Sequence, residues 1–98
     1  MAGSHFLVLG QDVPGSASAR AAALAAHKAR LDAPPPGIRV HVSGPLHGAG
    51  GEPTGSLFIL EAPDLPTARS FAEADPYLPG GVWQSVEVRP FDWRRGRP

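Results

Sequence analysis

The sequence predicts an α+β domain whose elements follow the order β-α-β-β-α-β, and three observations support this class. Four short segments are rich in Val, Leu, Ile and aromatic residues, as strands are. Two longer segments favour helices, one dominated by alanine and the other marked by an apolar stripe at helical spacing. Gly and Pro, 12 of each in 98 residues, mostly cluster between these segments and mark loops.

The first strand is predicted over residues 4–10. Phe6 and Val8 lie on one side of this strand, and Leu7 and Leu9 lie on the other. Because both sides are apolar, the strand is expected to be covered on both faces.

The first helix is predicted over residues 17–32. Alanine has the best helix propensity, and Ser16 or Ser18 can cap the start. The segment 33–37, with three successive prolines, ends the helix. One stripe at 3.6-residue spacing carries Arg20, Leu24, His27 and Leu31.

The second and third strands are predicted over residues 38–46 and 54–62. A glycine-rich connection joins them, which indicates a hairpin with a long loop. Alternation gives the second strand a polar side. Its apolar side is Ile38, Val40 and Val42, and its polar side is Arg39, His41 and Ser43.

The second helix is predicted over residues 65–74, and the last strand over residues 82–90. Asp64 can cap this helix, and Pro66 fits its first turn, where a missing N–H costs nothing. The stripe expected to be buried is Leu65, Ala68, Phe71 and Ala72.

This order predicts a ferredoxin-like fold: a four-stranded antiparallel sheet with two helices on one face. The whole chain, residues 1–98, is expected to form one domain with a core over about residues 5–91 and a basic tail over 92–98. Two helices cannot cover both faces of the sheet. We therefore expect a homodimer in which two copies pack sheet to sheet.

Charge and composition exclude several classes of protein. Without Arg94, Arg95 and Arg97, six basic residues stand against nine acidic ones, so no basic face for nucleic acid is expected. The absence of cysteine excludes disulfides and thiolate chemistry. No signal peptide or membrane-length apolar run is present, and a cytoplasmic location is the expectation.

Asp75 and His27 are the candidate catalytic residues. Asp75 falls at the end of the second helix, where a carboxylate faces the negative end of the helix dipole. A cation or a donor from elsewhere would explain it, and His27 on the other helix is the strong candidate. A carboxylate on one imidazole nitrogen fixes the tautomer and makes the other nitrogen a general base. Alternatively, His27 is a half-buried structural residue, and Asp75 merely terminates the second helix.

Three further residues are candidates for substrate binding. Arg20 is either an anion clamp or a solvated side chain. Ser43 either bonds a ligand oxygen or ends its strand. Tyr77, like Trp83, either walls an apolar pocket or packs in the core or a dimer interface.

No metal site and no cofactor are expected. None of the four histidines has metal-ligand spacing within one element. His5 and His41 would come close only if their strands were neighbours.

Several segments together carry a family resemblance over about residues 5–91. They are Gly10-Gln11-Asp12, Arg20 with Ala26-His27-Lys28-Ala29-Arg30-Leu31, Ser43-Gly44-Pro45-Leu46, Thr54-Gly55-Ser56, Phe71-Ala72-Glu73-Ala74-Asp75-Pro76-Tyr77, Gly81-Val82 and Val86-Glu87-Val88-Arg89-Pro90-Phe91. With these segments the chain resembles YciI-like, or YCII-related, proteins.

The resemblance implies a ferredoxin-like domain that dimerises as an α+β barrel, with an active site around a His and an Asp that map onto His27 and Asp75. Some relatives in this fold are small enzymes acting on ring compounds, including a dehydrochlorinase and muconolactone isomerases. This chain departs from the pattern in its Pro34-Pro35-Pro36 run and in His41. Both departures are expected to alter the mouth of the pocket.

The leading hypothesis is a cofactor-independent enzyme that moves a proton on a small cyclic or carbonyl-bearing substrate, in an elimination or isomerisation. His27 would be the acid/base, Asp75 would orient it, and Arg20 and Ser43 would hold the substrate. The alternatives are a non-catalytic ligand-binding or accessory module and a purely structural dimer.

Overall fold

A computed structural model describes residues 4–96, and the elements follow the predicted order. Met1, Ala2 and Gly3 lie outside the described residues, as do Arg97 and Pro98 of the predicted basic tail. The elements are β1 (Ser4–Asp12), α1 (Ala17–Asp32), β2 (Arg39–His47), β3 (Pro53–Ala62), α2 (Leu65–Glu73) and β4 (Trp83–Phe91).

The four strands form one antiparallel sheet in the order β2-β3-β1-β4. In the middle of the sheet, Val8 of β1 stands opposite Phe58 of β3 on one side and Val88 of β4 on the other. Both helices pack on the face that these residues share. The predicted ferredoxin-like α+β fold is therefore confirmed.

The core lies between this face and the helices. Its buried residues include the predicted α2 stripe Ala68, Phe71 and Ala72, whereas Leu65 is only half-buried. The Asp64 side chain caps α2 by accepting a bond from the Thr67 N–H at 2.8 Å. Further core members are Phe6, Val8, Phe58, Leu60, Tyr77, Val82 and Trp83.

Gly10 is required by the packing of β1 against Trp83. A Cβ atom at this position would lie 2.6 Å from the indole Nε1 and would overlap the ring. The missing side chain lets the indole lie directly on the strand, where Nε1 donates to the Ser56 hydroxyl at 3.2 Å.

A β-bulge in β2 overturns the predicted division of that strand into an apolar and a polar side. Val40 pairs with Leu60, but the next paired residue is Val42, opposite Ile59, so His41 is an extra residue. The bulge moves Val42 to the helix-free face and places Ser43 on the helix side, opposite Phe58. Simple alternation predicted the reverse for both residues relative to Val40.

Helix α1 has the predicted bounds but packs loosely. His27 is its only buried residue, and Leu24 is 45% exposed. Ser16 occupies the N-cap position without a side-chain bond to the helix. Polar contacts made by Arg20, His27 and Arg30 therefore anchor this helix.

The helix-free face of the sheet, called the open face below, carries an apolar patch. Its members are Leu7, Leu9, Leu57 and Ile59, which are half-buried, with the exposed Val42 and Leu46. Within one chain, β1 is therefore covered on its helix side only. A second copy that covers the open face stays a prediction. Within residues 4–96 neither helix has the length and apolar character needed to cross a membrane.

Candidate active site

His27 and Asp75 meet in the interior of the protein. The ring Nδ1 lies 2.8 Å from Oδ1 and 2.9 Å from Oδ2 of the carboxylate. Asp75 is fully buried and His27 is 7% exposed. The two residues predicted to converge do so, His27 from α1 and Asp75 from the turn that follows α2.

This geometry assigns the tautomer of His27. A carboxylate only accepts hydrogen bonds, so the nitrogen in contact with both of its oxygens carries the proton. In the neutral ring the other nitrogen, Nε2, then has a free lone pair. Nε2 has no hydrogen-bond partner among residues 4–96 and is not sealed from solvent.

Asp75 is held by the turn that follows α2, not by the helix itself. The helix ends at Glu73, and the Tyr77 N–H donates to Asp75 Oδ1 at 2.9 Å. Pro76 separates these two residues and disfavours the helical conformation at Asp75. A backbone bond and a proline thus point the carboxylate at α1.

Arg30 supplies a cation near this carboxylate. Its Nη1 donates to the Phe71 carbonyl at 2.6 Å, in the last turn of α2, and its guanidinium lies 4.0 Å from the Phe71 ring centroid. Burial lowers the pKa of Arg30, and the charge of Asp75 partly offsets that effect. The unfavourable place of Asp75 beyond a helix C-terminus is therefore compensated by two residues of α1.

Tyr77 forms one wall of the site. Its ring stacks on the imidazole of His27 with centroids 3.8 Å apart and an interplanar angle of 5°. The hydroxyl is buried without a hydrogen-bond partner among the described residues. Burial raises the pKa of this hydroxyl above its ordinary value, because a phenolate would lose its hydration, and the nearby guanidinium of Arg20 partly offsets that effect. Tyr77 is thus both a core residue and a wall of the site.

Arg20 is neither solvated nor a free clamp. Its Nη2 lies 2.9 Å and 2.8 Å from the two carboxylate oxygens of Asp12, and its Nε donates to Oδ2 at 3.2 Å. Nη2 also contacts the Gly55 carbonyl at 3.2 Å. Asp12 therefore neutralises the charge that an anionic ligand would need, and the prediction of a solvated side chain is wrong.

An open cleft of about 240 Å³ lies beside His27. Ser43 contributes to its rim, because the bulge in β2 places this residue on the helix side. The five predicted site residues that come together are thus His27, Asp75, Arg20, Ser43 and Tyr77. The cleft is lined by Arg20, Leu24, His27, Lys28, Leu31, Ser43, Gly44, Pro45, Ser56, Phe58 and Tyr77.

A larger cleft of about 470 Å³ lies on the other side of Arg20. Asp12, Ser16 and Arg20 line it together with Thr54 and Gln84, and His27 does not. Arg20 therefore lines two cavities, one that contains the His27 ring and one that does not.

Comparison with protein families identifies the chain. The model of the YCII-related domain matches residues 4–92. This protein belongs to the YCII-related family.

Curated relatives of this YCII-related protein match over most of their length. Protein YciI of Escherichia coli and that of Shigella flexneri are each 36% identical over 93 residues, covering 88% of this chain and 94% of theirs. An uncharacterized protein of Haemophilus influenzae is 31% identical over 93 residues, covering 89% and 95%.

Two solved structures share the fold of this YCII-related protein. The 5-chloro-2-hydroxyhydroquinone dehydrochlorinase of Burkholderia phenoliruptrix, in complex with 2,5-dihydroxybenzoquinone, superposes with a TM-score of 0.75 at 33% identity, covering 90% of this chain and 93% of that one. The C-terminal domain of the MgtC protein of Mycobacterium tuberculosis has a TM-score of 0.57 at 15% identity, covering 97% and 95%. The second likeness concerns the fold alone.

Three residues near the site of this YCII-related protein were not predicted: Asp12, Arg30 and Ser56. Asp12 ends an apolar strand, and that position was the signal that could have singled it out.

The chain departs from the family pattern at two places, His41 and the proline run 34–36. Neither lines the cleft beside His27. The expectation that His41 alters the pocket mouth is wrong, because this residue lies beside His5 on the open face.

Proposed function

We propose that this YCII-related protein is a small enzyme that moves a proton on a small cyclic or carbonyl-bearing substrate without a cofactor. The observation that carries the proposal is the contact of both Asp75 oxygens with Nδ1 of His27, whose ring also lines an open cleft. A base held in one tautomer beside a cavity is the arrangement that general base catalysis needs.

In this proposal Nε2 of His27 takes a proton either from a carbon next to a carbonyl group or from an enolic hydroxyl. The electron pair left behind either expels a leaving group on the neighbouring carbon, which is an elimination, or takes a proton back at another carbon, which is an isomerisation. Asp75 holds Nδ1–H and compensates the positive charge of the protonated ring, as the carboxylate of a catalytic triad does.

The size and walls of the cleft favour a substrate with a single ring. A volume of about 240 Å³ is below the range of drug-sized ligand pockets. Phe58 and Tyr77 offer aromatic surface, while Ser43 offers a hydroxyl at the rim. The similar dehydrochlorinase was solved with 2,5-dihydroxybenzoquinone, a one-ring compound, which agrees with this size.

The same proposal includes a homodimer formed through the open face. Val42 is 39% exposed and Leu46 is 38% exposed on a face that also carries the half-buried Leu7 and Ile59. A 98-residue chain buries a modest share of its surface alone, so covering this patch would add stability. Ile59→Arg should shift the mass measured by light scattering from two chains to one. A wild-type protein with the mass of one chain would contradict this part.

A second candidate function is binding without chemistry. It is favoured by the larger cleft, which His27 does not line. A ligand in that cleft would contact Arg20, Thr54 and Gln84, and His27 would not reach it.

Two compounds test the proposal: the one after which the similar dehydrochlorinase is named, and the one with which its structure was solved. The first measurement is chloride release from 5-chloro-2-hydroxyhydroquinone, and the second is the affinity for 2,5-dihydroxybenzoquinone by calorimetry. His27→Ala should abolish chloride release, whereas His47→Ala, an exposed histidine outside the cleft, should match the wild type. Full activity in His27→Ala would refute the role of the base. Equal binding in both variants without any chloride release from the wild type would favour the non-catalytic module.

A further inference from the structure

A second cluster of histidine and carboxylate groups lies on the open face. It consists of His5 on β1, His41 in the β2 bulge and Glu61 on β3. Nε2 of His41 lies 3.2 Å from Oε1 of Glu61, and Nε2 of His5 lies 3.9 Å from the same oxygen. One ligand atom from each residue falls within 4.8 Å of the other two.

The strand register and the bulge together build this cluster. His5 stands directly opposite Glu61, so their side chains share the open face. His41 is the extra residue between Val40 and Val42, and its ring lies 5.4 Å from that of His5. Bulges re-aim side chains in this way, and here the bulge brings a residue of β2 to one of β1 across the intervening strand.

An unsatisfied nitrogen distinguishes this cluster from an ordinary surface ion pair. Nε2 of His5 is sealed from solvent and has no hydrogen-bond partner among residues 4–96. The Glu61 oxygen it faces is already engaged by His41. A buried polar atom without a partner is costly, and a bound cation would satisfy it together with the carboxylate.

We propose that His5, His41 and Glu61 bind one divalent transition-metal ion, with Zn²⁺ as the preferred ion. In a tetrahedral zinc site with ligands at about 2.0–2.2 Å, ligand atoms lie roughly 3.3 Å apart. The His41–Glu61 edge already has this length, and the His5–Glu61 edge needs a closure of well under 1 Å. Two imidazoles and one carboxylate are donors that zinc accepts.

The surroundings support a site with a fourth position open. Trp93 packs edge-on against both histidine rings, with centroids 5.4 Å from His5 and 5.5 Å from His41. These contacts restrict the ring orientations before any ion arrives. Glu61 remains 36% exposed, so an ion can enter from its side and keep a water molecule.

The ion would lie on the face of the sheet opposite the His27 site. It would tie the ends of β1, β2 and β3 together at the edge of the patch where a second copy is expected. We therefore assign it a structural role, separate from the proposed proton transfer.

Titration of untagged, metal-free protein with Zn²⁺ by calorimetry tests this site. The wild type should bind one ion per chain. His5→Ala, His41→Ala and Glu61→Gln should each weaken binding by more than about tenfold, since even outer-shell partners of metal ligands act on that scale. His47→Ala is the matched control: it removes an exposed histidine from the same strand as His41 and should bind as the wild type does. Circular dichroism of each metal-free variant checks its fold.

Glu61→Gln keeps the shape of the side chain, so the test stands if an alanine variant fails to fold. Co²⁺ absorption adds a readout of geometry, because a tetrahedral site gives an intense visible band that a loosely bound surface ion lacks. Absence of Zn²⁺ binding in the wild type would overturn the proposal. So would equal affinity in the wild type and Glu61→Gln, or a loss of binding in His47→Ala of the same size as in His41→Ala.

Discussion

The imidazole ring of His27 lies flat against the phenol ring of Tyr77, with centroids 3.8 Å apart and planes 5° from parallel. Asp75 holds the edge of the same imidazole, and the Tyr77 N–H in turn donates to Asp75 at 2.9 Å. One face and one edge of the ring are thus fixed by two residues that are themselves bonded together. The direction of Nε2 is set by the fold before any ligand binds.

Asp75→Asn should remove turnover while leaving the protein folded. The amide can donate to Nδ1, which moves the ring proton to Nε2 and removes the lone pair that the mechanism uses. We expect turnover to fall by about 10² to 10⁴, the usual contribution of a general base. Chloride release from 5-chloro-2-hydroxyhydroquinone measures it, with circular dichroism as the check of the fold. An active Asp75→Asn would show that the carboxylate does not set the tautomer.

Tyr77→Phe should be tolerated by the fold, whereas Tyr77→Ala should not. The hydroxyl is buried without a described partner, and such a group is costly, so removing it should leave the free energy of unfolding unchanged or raise it by about 1 kcal/mol. Loss of the whole ring creates a cavity and should lower that free energy by about 3–5 kcal/mol. Urea unfolding of the three proteins tests this. A Phe variant less stable by more than about 2 kcal/mol would reveal a bond made by the hydroxyl.

Stability should fall at alkaline pH because of Tyr77. Burial raises the pKa of its hydroxyl in the folded protein above the ordinary 10.0. Above pH 10 the unfolded chain releases this proton while the folded chain keeps it, so the free energy of unfolding decreases as pH rises. Below pH 10 both states hold the proton and the effect vanishes. Urea unfolding at a series of pH values should give a shallower decline in Tyr77→Phe, and equal slopes would contradict the assignment.

Arg20→Met should destabilise the fold by about 3 kcal/mol, because it leaves the Asp12 carboxylate buried and uncompensated. The double variant Arg20→Met with Asp12→Asn should recover part of the loss, since neither charge remains. Arg94→Met is the control, as it breaks a highly exposed pair with Asp92 and should change stability by less than about 1 kcal/mol. Equal effects of Arg20→Met and Arg94→Met in urea unfolding would refute the structural role of Arg20.

The local parts of the fold could be predicted from the sequence. Proline runs, capping residues and apolar stripes act within a few residues, so α1 and α2 begin and end within one residue of their predicted bounds. The pairing of His27 with Asp75 was also within reach, since a carboxylate beyond a helix end needs a partner. The family membership inferred from the quoted segments is confirmed by the match over residues 4–92.

The rest depended on long-range register. A strict alternation of apolar and polar residues assumes that every residue of a strand is paired. The sequence of β2 alone therefore could not predict the bulge at His41, or that Ser43 lies on the helix side of the sheet. The Arg20–Asp12 pair depends on the path of the loop between β1 and α1, which leaves no periodic signal. The meeting of His5 with His41 required both the strand order and the bulge.

The tautomer of His27 is the quantity on which the account depends, and nitrogen NMR of the wild-type protein measures it directly. Long-range ¹H–¹⁵N correlation of the neutral ring should show the proton on Nδ1 and none on Nε2, with the Nε2 resonance moving when 2,5-dihydroxybenzoquinone is added. Asp75→Asn should exchange the two assignments. A wild-type ring protonated at Nε2, or an Nε2 resonance that no ligand of the cleft disturbs, would contradict the account.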